Sequence, residues 1–170
     1  MAAFTTTCEV RWADLDLDGH ARHTAIMDWA THCRIRAFAG QGITTTRFQE
    51  LGVGLVIFRE ETDYLREVSG GDRITVSFEF AGASPDWKHF RIRHVLTRQD
   101  GVHCATVVVR GSWLDRRERR IVVPPEPVTR AFQALMQRAP TEFGATVVVT
   151  PREPRESGKR RSIDVVLAGH

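Results

Sequence analysis

Alternating apolar and polar residues predict four β-strands in the middle of the chain. These strands span residues 54–65, 73–81, 87–98 and 102–114, and a weaker alternation over 5–12 predicts one more strand near the N-terminus. An Asp-Gly pair between the last two strands is typical of a hairpin turn. We therefore expect the four strands to form an antiparallel meander. In the two clearest strands the apolar faces consist of Ile74, Val76, Phe78 and Phe80, and of Phe90, Ile92, His94 and Leu96.

An apolar stripe with a longer period predicts one long helix before these strands. Within residues 23–39, Ile26, Ala30, Cys33 and Ala37 follow one another at intervals of four, three and four residues. This spacing places them on one face of a helix. At a rise of 1.5 Å per residue the helix would be roughly 25 Å long, enough to cross a whole sheet. One long helix against an antiparallel sheet is an α+β fold.

The C-terminal part of the chain has a different character. Three prolines at 124, 125 and 127 interrupt the pattern, and apolar residues at helical spacing then predict a short amphipathic helix over 128–138. Beyond 140 the composition turns to Pro, Arg, Glu, Ser and Gly, most densely over residues 151–161, and such a segment cannot bury enough surface to offset the entropy of ordering. We expect a domain over 1–139 and a flexible tail over 140–170, in which residues 145–149 could still form an edge strand.

Composition narrows the function classes. Apolar residues make up 42% of the chain, which supports a real core, and the net charge is only +3. The pI near 9.1 fits a small anionic ligand. The body of the chain contains no strongly basic run, so the sequence does not favour nucleic-acid binding. The three cysteines lie far apart, which argues against a disulfide framework and a zinc site. We expect no metal, no cofactor, no signal peptide, no membrane span and a cytoplasmic location.

The segment most suggestive of chemistry is the polar loop over residues 13–22. Asp14, Asp16 and Asp18 occupy alternate positions, Gly19 follows them, and the predicted helix begins a few residues later. A carboxylate in such a loop can attack a carbonyl or activate a water molecule. The free backbone N–H groups at the helix start can hold the oxyanion that develops during acyl transfer.

The same loop is also typical of a helix cap or turn and of a calcium-binding loop. Aspartates before a helix often serve only as caps or turn residues, and from the residues alone this role and a catalytic role both stay open. The spacing of Asp14, Asp16, Asp18 and Gly19 also starts like an EF-hand calcium loop. The calcium interpretation fails because the twelfth loop position, which should be Glu, is Ala25, and no helix pattern precedes the loop.

Residues 11–34 resemble the N-terminal signature of the 4-hydroxybenzoyl-CoA-thioesterase-like family of hotdog proteins. The matching residues are Trp12-Ala13-Asp14-x-Asp16-x-x-Gly19-His20, with Arg34 farther on. The element order over about residues 5–125 is also similar. The resemblance implies a hotdog fold, in which an antiparallel sheet wraps around one long central helix. It also implies a homodimer or homotetramer with interfacial sites that hydrolyse an acyl-CoA or acyl-carrier-protein thioester.

The resemblance carries roles over to individual residues. Asp16 matches the catalytic aspartate, acting as nucleophile or general base, and the backbone N–H of His23 matches the donor that polarises the thioester carbonyl. Gly19 matches the residue that permits the tight turn. Asp14 matches a residue that is more often structural.

Three further side chains are candidates for binding substrate. His20 either hydrogen-bonds Asp16 or packs at the base of the loop. Lys88 and Arg91, with Arg93 nearby, belong to a strand where relatives place residues near the phosphates of CoA, although a solvated sheet face explains them equally well. A different class of function, a non-catalytic acyl-CoA sensor, also stays open, and turnover of a panel of acyl-CoAs would separate it from an enzyme.

Overall fold

The structure is a computed structural model that describes residues 3–137 of the 170-residue chain. A short 3-10 turn at Trp12–Asp14 lies between the first strand and the first helix. The strands are β1 (Phe4–Glu9), β2 (Val53–Tyr64), β3 (Arg73–Ala83), β4 (His89–Arg98), β5 (His103–Asp115) and β6 (Arg120–Val122). The helices are α1 (His23–Ala39), α2 (Thr45–Glu50) and α3 (Glu126–Met136).

All strand pairs in the six-stranded sheet are antiparallel, and the α+β class is confirmed. The order is β1-β3-β4-β5-β2, and β6 pairs with β5. The predicted four-strand meander is therefore wrong, because β2 pairs with β5 and not with β3. Of the four predicted strands, only β3, β4 and β5 form a meander. The physical reason is the connection over residues 65–72, which carries the chain back across the sheet instead of reversing it in a tight turn.

The long helix α1 has the predicted bounds and packs on one face of the sheet. All four residues of the predicted stripe, Ile26, Ala30, Cys33 and Ala37, are buried. The predicted faces of β3 and β4 also point inward, with Phe80 partly exposed at the edge of the core. Burying a large apolar side chain stabilises a fold by roughly 1.5–3 kcal/mol. The periodic positions of α1, β3 and β4 thus account for much of the core.

The predicted C-terminal helix is confirmed as α3, whose buried residues are Val128, Ala131, Phe132 and Leu135. Its Phe132 ring lies 5.9 Å from both Phe38 of α1 and Trp113 of β5, measured between ring centroids. Such aromatic contacts add to the stabilisation from burial. These contacts pack α3 against both α1 and the sheet.

Two elements have no counterpart in the prediction. α2 is six residues long and has no fully buried residue, so it carries no apolar stripe, and β6 spans three residues. The described part of the chain therefore contains three α-helices. The proposed domain boundary at 139, the tail over 140–170 and the possible strand over 145–149 lie outside the described residues. Among residues 3–137, no helix is both long and apolar enough to cross a membrane.

Candidate active site

The acidic loop folds into a small hairpin over residues 15–21. Leu15 and Ala21 form an antiparallel bridge, and the Asp16 N–H donates to the His20 carbonyl at 2.8 Å. Gly19 at the tip has a φ of +79°, a conformation that residues with a Cβ rarely adopt, and nothing crowds the site of a Cβ. Glycine therefore suits this turn because of its backbone conformation, and not because a neighbour leaves no room for a Cβ.

Backbone bonds to the β2–β3 connection hold this hairpin in place. The Ala21 N–H donates to the Val68 carbonyl at 2.7 Å, and His20 forms a bridge with Ser69. Val68 is itself buried in the core. The hairpin is thus anchored to the end of the sheet where β3 begins.

Asp16 presents an oriented carboxylate on the surface of the hairpin. Its Oδ1 accepts hydrogen bonds from the backbone N–H of Asp18 at 2.9 Å and of His20 at 3.1 Å. Among the described residues, no donor contacts Oδ2. The side chain is exposed. One oxygen is therefore fixed by the turn, and the other is available to a substrate or a water molecule.

Asp14 plays a different part although it lies two positions away. It is buried, and its carboxylate accepts from the backbone N–H, Nε and Nη2 of Arg11 at 3.0–3.1 Å. The hydrogen bond from the Arg11 side chain holds the pKa of Asp14 below its usual value, against the opposing effect of burial. These bonds close the 3-10 turn before the hairpin. The geometry agrees with the structural role expected for Asp14.

Helix α1 begins immediately after the hairpin with open backbone donors. The first residues of any helix have no intrahelical acceptors, and the N-cap residue, Arg22, makes no side-chain cap. Ala25 N–H donates to the Arg22 carbonyl, but in the described part of the chain the N–H groups of His23 and Thr24 have no acceptor. The positive end of the helix dipole lies at the same place. Such an end can stabilise a developing negative charge.

A cleft with a volume of about 290 Å³ opens beside the hairpin. Glu67 borders it, and the His20 Nε2 lies 3.3 Å from the Glu67 Oε2. The backbone of His20 thus binds Asp16, whereas its side chain faces the cleft and Glu67. The cleft is lined by His20, Ala21, Ile26, Tyr64, Leu65, Arg66, Glu67, Val68, Cys104 and Ala105.

The structure brings Asp16, Gly19, His20 and His23 together at one end of the sheet but not Lys88. The start of β3 pairs with the end of β4, so Lys88, which precedes β4, lies at the opposite end of the sheet. Its Nζ is 3.5 Å from the Asp86 Oδ2.

Arg91 lies on β4, toward the same far end of the sheet as Lys88. It pairs with Arg110 of β5 on the sheet face that points away from α1. Within one chain, neither of these two predicted phosphate contacts is close to the hairpin.

The sequence prediction missed a buried polar network between α1 and the sheet. His94 is fully buried, its Nδ1 lies 2.8 Å from the Ser77 carbonyl oxygen, and its Nε2 lies 3.2 Å from the Arg34 Nη1. Burial, and secondly the charge of Arg34, lower the pKa of His94 to about 3. Arg34 also lies 3.9 Å from the Glu60 carboxylate.

A charged residue on the buried face of α1 was the available signal for this network. Arg34 lies one turn before Phe38, and both are buried. Among residues 3–137, no three His, Cys, Asp or Glu side chains converge in a way that could hold a metal ion.

Most of the described sequence matches the model of a protein family. The model of the thioesterase-like superfamily matches residues 10–132, from the residue after β1 into α3. The chain therefore belongs to the thioesterase-like superfamily. No curated protein sequence matches it closely enough to be compared.

Several solved structures share the fold, and named thioesterases are among them. A hypothetical protein from Staphylococcus aureus in complex with CoA is 22% identical over 96% of this chain and 98% of its own, with a TM-score of 0.76. A thioesterase from Thermus thermophilus, complexed with coenzyme A and Zn, is 28% identical over 81% and 98%, with a TM-score of 0.67. A 1,4-dihydroxy-2-naphthoyl-CoA thioesterase from Synechocystis is 17% identical over 78% and 96%, with a TM-score of 0.70.

Proposed function

We propose that this protein hydrolyses the thioester bond of an acyl-CoA and that Asp16 is its catalytic carboxylate. Membership of the thioesterase-like superfamily and the CoA thioesterases among its structural neighbours support this class of reaction. The observation that carries the proposal is the geometry of Asp16. One carboxylate oxygen is held by two backbone donors, the other has no donor among the described residues, and the open amides of a helix start follow in the chain.

The carboxylate can act in either of two ways. As a general base it takes a proton from water, and the resulting hydroxide attacks the thioester carbonyl carbon. The tetrahedral intermediate then expels the CoA thiolate, which takes up a proton, and leaves the free acid. As a nucleophile the carboxylate attacks that carbon itself and expels the thiolate, giving a mixed anhydride that water hydrolyses. Both routes place negative charge on the carbonyl oxygen.

The start of α1 is the proposed site for that oxyanion. The backbone N–H of His23 has no acceptor among the described residues, and it carries the partial positive charge of the helix end. We take α1 as the central helix of the hotdog arrangement, because eight of its residues are buried. The cleft beside His20 is the proposed site for part of the acyl thioester, and Lys88 and Arg91 are proposed contacts to the phosphates of CoA.

We propose that the active form is a homodimer or homotetramer. Trp12 and Leu17 flank Asp16 in the chain with exposures of 87% and 105%, and Tyr64 beside the cleft is 55% exposed. Large apolar side chains grouped around one site favour a partner surface over solvent. Light scattering should give a mass well above the 19.2 kDa of one chain at micromolar concentration. A monomer of that mass would contradict an interfacial site.

Asp16→Asn, compared with Asp18→Asn, tests the catalytic role. Asn retains an oxygen that can accept the two backbone bonds, so the turn should persist, but it can neither take a proton nor attack as an anion. We expect kcat on the best acyl-CoA of a panel to fall by about 10²–10⁴-fold. Asp18→Asn removes the same charge from the same exposed loop and should leave kcat nearly unchanged. Equal rates for Asp16→Asn and the wild type would refute the mechanism.

Labelled water identifies a nucleophilic route in which the anhydride is opened at the aspartyl carbon. In a single turnover in H₂¹⁸O, a general base delivers ¹⁸O to the product acid alone. A nucleophilic Asp16 whose anhydride is opened at the aspartyl carbon keeps ¹⁸O in its side chain, which mass spectrometry of the loop peptide detects. Acyl-carrier-protein thioesters in the same panel would show whether CoA is the preferred carrier. A chain that binds acyl-CoA without turning it over would be a sensor and would contradict the proposal.

A further inference from the structure

The side chains of His20 and Glu67 form a pair at the border of the cleft. The His20 Nε2 lies 3.3 Å from the Glu67 Oε2, and this contact joins the hairpin to the β2–β3 connection. Two backbone contacts hold the same two segments together, namely the hydrogen bond from Ala21 to Val68 and the bridge between His20 and Ser69. The two side chains therefore meet where the backbone on either side is already paired.

The backbone also sets the position of this pair relative to Asp16. The Asp16 N–H donates to the His20 carbonyl oxygen, and the His20 N–H donates to the Asp16 Oδ1. Asp16 and His20 are thus bonded to each other in both directions across the hairpin. A carboxylate and an imidazole therefore lie on one hydrogen-bonded turn beside one cleft. Groups held in a fixed arrangement lower the entropic cost of a reaction.

The contact with Glu67 determines which ring nitrogen of His20 is available. An ionised carboxylate can only accept hydrogen bonds, so the nitrogen that faces it, Nε2, carries a proton. Nδ1 makes no hydrogen bond to any of residues 3–137. A proton that His20 gives to a bound molecule therefore leaves from Nδ1. Glu67 keeps the ring oriented during this transfer because Nε2–H stays bonded to its carboxylate.

His20 is the described side chain of this cleft that is best suited to give up a proton at neutral pH. Histidine is the residue type whose ordinary pKa allows it both to carry and to release a proton in this range. The guanidinium of Arg66, which also lines the cleft, does not release its proton. Burial raises the pKa of the Cys104 thiol, whose Sγ donates to the Val102 carbonyl oxygen at 3.3 Å.

We propose that His20 protonates the sulfur of CoA as the thiolate leaves, and that Glu67 is a positioning residue for the His20 ring. This inference rests on the proposed function, because it assigns an acid to the same reaction. As the tetrahedral intermediate collapses, the C–S bond breaks and its electron pair goes to sulfur. The sulfur takes the proton from Nδ1 of the His20 imidazolium, and the N–H electron pair stays on nitrogen. His20 then regains a proton from the solvent, to which 36% of its side chain is exposed.

The dependence of the rate on the leaving thiol tests this role. The alkyl thiolate of CoA is a basic leaving group that gains from protonation, whereas the more acidic thiol of a nitrophenyl thioester leaves without it. His20→Gln should lower kcat/KM on the best acyl-CoA by about 10²-fold, because the amide cannot give up a proton. On the nitrophenyl thioester of the same acyl group the loss should be about threefold or less. A merely structural role of His20 would affect both substrates alike.

Variants of Glu67 test the positioning role separately. Glu67→Ala should lower kcat/KM on acyl-CoA by about fivefold, since the pair is largely exposed, and should leave the nitrophenyl thioester unaffected. Glu67→Gln keeps an oxygen that can accept from Nε2 and should retain more activity than Glu67→Ala. The double variant of His20→Gln and Glu67→Ala should be no slower than His20→Gln alone, because Glu67 acts only through the ring.

Two surface variants serve as matched controls. His32→Gln removes a histidine from the exposed face of α1. Glu50→Gln removes a carboxylate from another exposed ion pair, which Glu50 forms with Arg47 at 2.8 Å on α2. Both variants should hydrolyse the two thioesters like the wild type. Circular dichroism of the full-length proteins checks that every variant is folded.

The outcomes also separate this inference from the proposed function. Equal losses of folded His20→Gln on the two thioesters, or no loss on either, would overturn the acid role. If His20→Gln does not fold, Glu67→Ala decides by the same comparison, and a loss confined to acyl-CoA supports the proposal. A double variant slower than His20→Gln would overturn the positioning role. A wild type that hydrolyses no acyl-CoA would refute the proposed function itself, whereas Asp16-dependent hydrolysis with equal losses in His20→Gln would refute this inference alone.

Discussion

His94 links the stability of this protein to pH. The imidazole is fully buried, with its Nδ1 at the Ser77 carbonyl and its Nε2 at the Arg34 guanidinium, and its pKa is lowered to about 3. In the unfolded chain the pKa of His is about 6.5. Between these values the unfolded chain binds a proton that the folded protein does not. The stabilisation is therefore complete above pH 6.5 and is lost as the pH falls.

The size of the effect follows from these two pKa values. One pKa unit corresponds to 1.36 kcal/mol, so each pH unit well below 6.5 lowers the free energy of unfolding by about that amount. Between pH 7 and pH 5 the loss from His94 alone sums to about 2 kcal/mol. Asp14, whose pKa is lowered, contributes only at more acidic pH, because its proton uptake in the unfolded chain begins near pH 4. The window from pH 7 to 5 therefore isolates the histidine.

Urea unfolding at pH 7, 6 and 5 measures this loss in the wild type and in His94→Gln. A glutamine amide can donate to the Ser77 carbonyl and accept from Arg34, but it does not titrate. The stability advantage of the wild type over the variant should shrink by about 2 kcal/mol between pH 7 and pH 5. The matched control is His103→Gln, since His103 is exposed, and this variant should follow the pH dependence of the wild type.

Two results would refute this reasoning. One is a wild-type stability that falls no faster with pH than that of His94→Gln. The other is an NMR titration in which the His94 ring of the folded wild type changes protonation with a midpoint near pH 6. The NMR measurement needs no variant, so it decides the question even if His94→Gln fails to fold.

The remaining predictions concern stability and the tail. Asp14→Asn should lower the free energy of unfolding by about 1–2 kcal/mol, because the guanidinium that it binds is largely exposed, and should leave kcat near the wild-type value. Gly111→Ala should destabilise the protein by at least about 2 kcal/mol in urea unfolding, since its Cβ would lie 2.5 Å from the Phe90 ring. Gly54→Ala is its control, because the nearest atom lies 3.9 Å away and unfolding should change little. Deleting residues 150–170 should leave kcat and the oligomeric mass unchanged, and a large rise in KM or loss of soluble protein would contradict this expectation.

The elements with a clear period were predictable from the sequence, and their arrangement was not. α1 and the inward faces of β3 and β4 follow directly from residue spacing, because each packs one face on a continuous core. The place of β2 in the sheet depends on how residues 65–72 cross it. No local pattern encodes that path. Likewise, α2 buries no residue completely and so leaves no periodic signal.

The site loop shows the same limit at the level of single residues. Asp14, Asp16 and Asp18 are chemically identical and equally spaced, so the sequence alone leaves their roles open. In the structure, Asp14 is buried against Arg11, Asp16 accepts two backbone bonds, and Asp18 supplies one of those donors. Contacts, not spacing, distinguish the three carboxylates. The resemblance to a known family singled out Asp16, and its catalytic role stays a prediction until the variants are assayed.

A single extra residue in β2 explains why the sheet faces of Arg59 and Glu60 could not be predicted. The register shifts at Phe58, between Ile57 and Arg59, so that one residue bulges out of the pairing. Strict alternation from Ile57, which faces the core, would turn Arg59 inward and Glu60 outward. The bulge reverses both, because Arg59 now lies opposite Arg110 on the outer face and Glu60 lies near Arg34 beneath the helix. The positions of Arg59 and Glu60 therefore both depend on an irregularity that a strictly periodic pattern does not contain.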